Sequence, residues 1–186
     1  MKTALIGYTG FVGGNILSQQ NFDHLYNSKN IQEIKGKKFD LIVSAGTRAE
    51  VWKANQNPKE DWKGIQNLID NLEKAEAKRF VLISTVDVYP KPYKVDENSP
   101  IDPEKSSPYG KHRFFLEEFV REKFPQNTVI RLLGLFGPGL KKNFIFDLIH
   151  NNRLDLTHAE SFYQYYNLKY IWKDIQIALA NSLPLV

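Results

Sequence analysis

Cysteine is absent from this sequence of 186 residues, and methionine occurs once. The absence of cysteine excludes a disulfide framework and thiolate metal sites, and it is typical of proteins in a reducing compartment. The four histidines show none of the paired spacings that bind zinc. The sequence therefore predicts no metal site and a cytoplasmic location.

Long hydrophobic runs are also missing. No stretch of about 18 apolar residues is present, and the first residues lack the apolar core of a signal sequence, so neither a membrane span nor a leader is predicted. The 25 basic and 21 acidic residues give a net charge of +4, and these charges are spread along the chain. This pattern does not predict nucleic-acid binding, and it slightly favours small anionic ligands.

Short apolar segments alternate with helical patterns along most of the chain. The apolar runs predict buried strands at residues 2–7, 22–27, 39–46, 79–85 and 128–137. Helices are predicted after residue 10, at residues 61–75 and 109–123, and, where the pattern weakens, at residues 144–150 and 173–180. This alternation predicts an α/β fold with a Rossmann-like, doubly wound parallel sheet.

A glycine-rich turn, GYTGFVGG, follows the first predicted strand and opens a helix. Glycines at these positions permit a tight turn, a close approach of pyrophosphate to the backbone and close packing of the helix on the sheet, while the helix N-terminus offers N–H groups to the phosphates. The spacing alone also occurs in other α/β proteins. The candidate dinucleotide contacts here are Gly7, Thr9, Gly10, Phe11, Val12 and Gly13.

The segment after the second predicted strand, LYNSKN, bears on the choice of cofactor. An acidic residue roughly 20 positions past the glycines would favour NAD, because it would bind the ribose hydroxyls. No acidic residue is present here. Ser28 and Lys29 are instead suited to a 2′-phosphate, which favours NADP slightly over NAD, although Lys29 is equally well explained as a solvated loop lysine.

Further motifs follow in a consistent order. They are LIVSAG, RFVLISTVDVYP, the acidic proline-containing loop before SPYGKHRFFLEEF, then IRLLGLFGPG and QYYNLKYIWKDI. Together with the glycine turn, they resemble the extended short-chain dehydrogenase/reductase family, which contains nucleotide-sugar epimerases, dehydratases and reductases. The resemblance implies an NAD(P)-binding Rossmann domain over residues 1–137 and a short substrate-binding extension over residues 138–186, packed on the same domain.

The resemblance also implies roles for individual residues. Tyr109 would be the general acid/base, with Arg113 as the nearby cation, and Thr85, with Ser84 beside it, would supply the hydroxyl that bonds the reacting oxygen. The implied cofactor contacts are Ala45, Gly46, Thr47 and Asp61, and the implied substrate contacts are Asp87 and Asn143. Asparagine is also a common helix cap, which is the alternative explanation of Asn143.

Two positions depart from the family's pattern. Arg113 stands where the family has lysine, and this exchange is not conservative because guanidinium is larger and planar. Asp61 replaces an asparagine, and its carboxylate would either repel phosphates or pair with a cation. Two hypotheses follow: an NAD(P)-dependent enzyme acting on a sugar or nucleotide-sugar, or an NAD(P)-binding regulatory or redox-sensing protein without turnover. A homodimer is also expected from the resemblance.

Overall fold

A computed structural model describes residues 1–152, 154–156, 158 and 160–186; residues 153, 157 and 159 of the predicted extension lie outside the described part. The central sheet contains the strands β1 (Thr3–Ile6), β2 (His24–Tyr26), β3 (Lys38–Ser44), β4 (Glu76–Thr85) and β5 (Asn127–Leu132). All pairings are parallel, and the spatial order is β2-β1-β3-β4-β5. The strand order reverses between β1 and β3, where open α/β sheets bind ligands beyond the carboxyl ends of their strands.

Both faces of the sheet are covered, which confirms the predicted doubly wound fold. The helices α1 (Phe11–Leu17) and α6 (Ile171–Ala180) lie on one face, α3 (Pro58–Leu72) and α4 (Pro108–Lys123) lie on the other, and α2 (Val51–Gln56) precedes α3. Neighbouring residues of β3 enter opposite cores: Leu41 packs on the α1 side and Ile42 on the α3 side. A continuous apolar run is therefore what this strand requires.

The start of α4 is specified by the local sequence. Ser107 is the N-cap, and its hydroxyl accepts a hydrogen bond from the N–H of Gly110 at 3.3 Å. Pro108 occupies the first helical turn, where its missing N–H costs nothing. The helix ends at Lys123, so the prediction of a helix over residues 109–123 is wrong by one residue at its start.

The predicted strand over residues 128–137 is two strands. β5 ends at Leu132, and β6 (Gly134–Phe136) pairs in parallel with β7 (Tyr165–Asn167) in a separate two-stranded sheet. A side chain at Gly134 would run into the ring of Tyr165, so the glycine permits the second sheet to form. Both sheets require apolar residues, and the apolar run alone does not show where one strand ends.

The extension packs on the sheet that precedes it. It contains the short helix α5 (Phe144–Ile149), β7, which pairs with the preceding β6, and α6, which begins two residues before its predicted start. Leu168, Ile171 and Ile175 are buried and join the core that covers β1 and β3. The functional division at residue 137 stays a prediction. Within the described ranges, no helix combines the length and the apolar character of a membrane span.

Candidate active site

The glycine turn lies against the end of β3. Gly7 has a φ of +84°, and a Cβ atom there would collide with the backbone of Ala45 and Gly46. A Cβ atom on Gly13 would collide with the carbonyl group of Gly7. Gly10 is exposed and caps α1 without a side-chain hydrogen bond. The turn therefore exposes backbone without side chains at the start of α1, which fits the pyrophosphate of a dinucleotide.

The other predicted cofactor residues border this turn or follow neighbouring strands, except Asp61, which lies in α3. Thr9 is exposed, and Phe11 and Val12 are half-buried in the first turn of α1. Gly46 is exposed beyond β3, with Ala45 and Thr47 half-buried on either side.

The end of β2 carries a residue that the sequence did not single out. Asn27 directly follows the strand, and its Nδ2 atom donates to the hydroxyl of Tyr8 at 3.3 Å. Its position at the carboxyl end of a strand next to the glycine turn was the available signal. Ser28 and Lys29 follow it and are exposed. This arrangement does not distinguish NADP from NAD, so the preference for NADP stays a prediction.

Tyr109 is held at the start of α4 by contacts with two other elements. A Cβ atom on Gly110 would collide with the carbonyl group of Asp87, so the first turn of α4 lies directly on the 3₁₀ turn Val86–Val88 that follows β4. The Oδ1 atom of Asn55 in α2 accepts a hydrogen bond from the backbone N–H of Tyr109 at 3.0 Å. Tyr109 is only 6% exposed. The start of α4 is therefore fixed against the turn after β4, and the side chain of Tyr109 is buried there.

Arg113 lies over the ring of Tyr109. Its guanidinium carbon is 3.8 Å from the ring centroid, which is a cation–π contact. Its Nη1 and Nη2 atoms donate to the two carboxylate oxygens of Asp61 at 2.5 and 2.9 Å, and Nη2 also donates to the carbonyl oxygen of Arg48 at 2.6 Å. The Arg113 and Asp61 side chains are 3% and 7% exposed. The two departures from the family's pattern are thus one buried ion pair.

Asp61 also contacts His112, whose Nδ1 atom lies 2.7 Å from the carboxylate. Burial raises the pKa of Asp61, but hydrogen bonds from Arg113 and His112 outweigh burial and hold this pKa below its usual value. Burial also raises the pKa of Tyr109, and the charge of Arg113 opposes this rise while the charges of Asp87 and Asp61 add to it. The resulting pKa lies above the usual value of a phenol. At neutral pH Tyr109 is therefore protonated.

The two hydroxyls proposed at the end of β4 have different partners. Thr85 accepts a hydrogen bond from the N–H of Asp87 and donates one to the Asp87 carboxylate, both at 3.1 Å. These bonds hold Thr85 against the 3₁₀ turn that follows β4. Ser84 is buried and donates to Glu117 at 2.5 Å. Side chains of neighbouring strand residues point to opposite faces, which explains the difference. The hydroxyl of Ser84 therefore belongs to a buried network, whereas Thr85 stays the better candidate.

Glu117 is the centre of that network, and sequence analysis assigned it no role. Its fully buried carboxylate accepts hydrogen bonds from Arg131 at 2.6 to 3.3 Å, from Ser84, and from Arg121 at 3.1 Å. Arg131 also donates to the hydroxyl of Tyr89 at 2.7 Å. The sequence signal that could have identified Glu117 was its spacing: it lies four residues after Arg113 and so shares a face of the same helix. The network ties α4, β4 and β5 together behind Tyr109.

Asn143 lies away from this cluster, at the start of α5. Its Oδ1 atom accepts from the N–H of Phe146 at 3.1 Å, and its Nδ2 atom donates to the carbonyl oxygen of Leu135 at 2.7 Å. Its φ of 122° is strained for a residue with a side chain. The capping role is therefore observed, and contact with a substrate stays a prediction. The described residues contain no group of three or more histidine, aspartate or glutamate residues that could hold a metal ion.

Comparison with known proteins finds a family match over most of the chain. Residues 17–163 match the model of the NAD dependent epimerase/dehydratase family. The bifunctional UDP-glucose 4-epimerase and UDP-xylose 4-epimerase 1 of Pisum sativum is 28% identical over 136 residues, which cover 68% of this chain and 39% of the pea enzyme. The matched region thus spans less than half the length of this curated relative.

Solved structures show the same fold at lower identity. The dTDP-4-dehydrorhamnose reductase of Bacillus anthracis, in complex with NADP, has a TM-score of 0.75 at 19% identity, with 100% of this chain and 74% of that chain covered. The dTDP-glucose 4,6-dehydratase of Streptomyces venezuelae, with NAD bound, has a TM-score of 0.75 at 17% identity, with 97% of this chain and 72% of that chain covered.

Proposed function

The chain belongs to the NAD dependent epimerase/dehydratase family, and we propose that it modifies a sugar linked to a nucleotide by hydride transfer, with Tyr109 as the general acid/base. The observation that carries this proposal is the placement of Tyr109: its ring is buried against the Arg113 guanidinium, at a helix start that lies on the turn after β4. The relatives are described as UDP-sugar epimerases and dTDP-sugar enzymes, which supports a nucleotide-sugar as substrate.

The residues that would hold the cofactor are those around the switch point of the sheet. The turn containing Gly7, Gly10 and Gly13 is suited to the pyrophosphate, and Ser28 and Lys29 to the adenosine ribose or its phosphate. When bound, the nicotinamide ring would accept or return the hydride. We propose NAD or NADP as the cofactor, with a slight preference for NADP.

The proton steps would belong to Tyr109 and Thr85. The phenol of Tyr109 would move a proton to or from the reacting sugar oxygen, and the hydroxyl of Thr85 would hydrogen-bond the same oxygen. The Thr85 hydroxyl donates its hydrogen to the Asp87 carboxylate and accepts from the Asp87 N–H, so it would bond the sugar oxygen either by turning away from the carboxylate or by accepting from a sugar hydroxyl. Asp87 and Asn143 are proposed to contact the substrate.

Binding of a dinucleotide without turnover is the second candidate, and one observation favours it. Burial raises the pKa of Tyr109, and because Asp61 balances the charge of Arg113, the cation does not overcome this rise. A phenol that stays protonated at neutral pH cannot accept the proton of a sugar hydroxyl.

Two measurements separate these candidates. Fluorescence titration with NADH and NADPH tests binding, and Lys29→Ala should weaken the binding of NADPH more than that of NADH. Turnover is then measured with UDP- and dTDP-linked sugars, comparing the wild type with Tyr109→Phe. Binding with turnover that depends on Tyr109 supports the enzyme; binding with no such turnover across the panel supports the second candidate. If neither dinucleotide binds, both proposals are wrong.

A further inference from the structure

We propose that Asp61 is a positioning residue for Tyr109: from α3 it holds the Arg113 guanidinium over the phenol ring and balances its charge. Only the catalytic consequence of this inference rests on the proposed function. The clamp itself is visible in the contacts of the protein, and it can be tested without substrate or cofactor.

The geometry of the clamp leaves Arg113 one orientation. Both carboxylate oxygens of Asp61 receive hydrogen bonds from the guanidinium, and the carbonyl oxygens of Arg48 and Tyr109 receive two more, at 2.6 and 3.2 Å. A planar, bidentate pair fixes the plane of the guanidinium as well as its position. That plane lies over Tyr109 with the guanidinium carbon 3.8 Å from the ring centroid. Arg113 is thus held by an acid from another helix rather than by its own helix alone.

The same pair sets the charge that the phenol experiences. Arg113 from α4 favours the phenolate, while Asp61 from α3 and Asp87 from the turn after β4 disfavour it. His112 faces Asp61 from α4, and the exposed Arg48 side chain pairs with Glu60 at the edge of the cluster. Removing the Asp61 charge would leave a buried guanidinium unbalanced against the ring. Ionisation of Tyr109 would then become easier.

The decisive experiment is a pH titration of Tyr109 in the protein without ligands. Phenolate formation is followed by ultraviolet difference absorbance, and the Tyr109→Phe protein is subtracted to remove the other tyrosines. Asp61→Asn should shift the ionisation of Tyr109 to lower pH than in the wild type. The matched control is Glu60→Gln, which removes the same charge one residue earlier on α3 from an exposed pair with Arg48, and it should leave the titration unchanged.

A second measurement keeps the test decisive if Asp61→Asn does not fold. The double variant Asp61→Asn/Arg113→Lys is then titrated against Arg113→Lys, in which Asp61 is retained, and the same downward shift is expected. Where Asp61→Asn folds, thermal unfolding of the wild type, Asp61→Asn, Arg113→Met and Asp61→Asn/Arg113→Met should show that the last variant is more stable than the sum of the two single losses predicts, because each single change leaves the other partner of the pair uncompensated.

Equal titration of Tyr109 with and without the Asp61 charge would overturn the proposal, and so would strictly additive losses of stability. Neither outcome depends on turnover. A protein that shows the shift but no reaction with any nucleotide-sugar would refute the proposed enzyme and retain the clamp.

Discussion

Substitution of Glu117 should destabilise the protein far more than substitution of a charged helix residue on the surface, because Glu117 is buried. Its carboxylate is fully buried and receives hydrogen bonds from Arg131, Ser84 and Arg121. The Arg131 side chain is itself only 6% exposed. Glu117→Gln keeps the shape of the side chain but replaces one acceptor oxygen by a donor that faces donors.

The magnitude follows from what remains buried. Removing one partner of a buried ion pair leaves the other charge uncompensated, which costs about 3–5 kcal/mol. Domains of this kind have a free energy of unfolding of about 5–15 kcal/mol in total. Glu117→Gln should therefore remove a large fraction of the stability of the protein.

Urea unfolding followed by circular dichroism measures the effect. The control is Glu118→Gln, next in sequence, whose side chain is 56% exposed and pairs with Arg121 at 2.7 Å; the loss expected there is about 0.2–1 kcal/mol. Equal losses from the two variants would show that the buried network does not stabilise the fold as reasoned here.

Three further predictions concern the packing and charge around the site. Gly110→Ala forces a methyl group against the carbonyl of Asp87 and should lower the melting temperature. The control Gly64→Ala in α3 meets no atom within 4 Å and should stabilise the protein by about 0.5–1 kcal/mol. Equal effects of the two substitutions would contradict this reasoning. Asn143→Gly should be more stable than Asn143→Ala in chemical denaturation, because glycine relieves the strain at φ 122°. The pKa of Asp61 is lower in the folded protein than in the unfolded chain, where it is about 3.9. Its contribution to stability is therefore complete above that value and is lost as the pH falls through the folded pKa. Asp61→Asn should flatten the acid limb of a stability–pH curve, and an unchanged limb would refute the assignment.

Local patterns were sufficient for much of the fold. The apolar run at Leu41, Ile42 and Val43 predicted a strand buried on both faces, and both cores contain its residues. The helix predicted over residues 109–123 starts one residue after the observed start of α4 at Pro108. Gly7 was predicted to allow a tight turn and Gly13 close packing of the helix; Gly7 has a φ of +84°, and the backbone of Gly7 leaves no room for a side chain at Gly13. In each case the physical cause acts within a few residues of the chain.

Contacts between distant residues were beyond sequence reasoning. Arg113 and Asp61 were recognised as two separate departures, and a pairing with some cation was one of two alternatives for Asp61. Their partnership across 52 positions depends on how α3 and α4 pack. Glu117 was quoted within a motif but given no role, because its burial depends on Arg131 in a strand that follows the helix.

The most direct test of the central claim follows the hydride itself. The protein is incubated with oxidised dinucleotide and ring-deuterated UDP- or dTDP-linked sugars, or with reduced, deuterated dinucleotide and unlabelled sugars, and the position of the label is measured by mass spectrometry. The account predicts that with the wild type deuterium moves between sugar and nicotinamide, or leaves and re-enters the converted sugar, and that Tyr109→Phe, while still binding the dinucleotide, transfers it at least about a hundredfold more slowly. Equal transfer by the two proteins would contradict the assignment of Tyr109 as the acid/base.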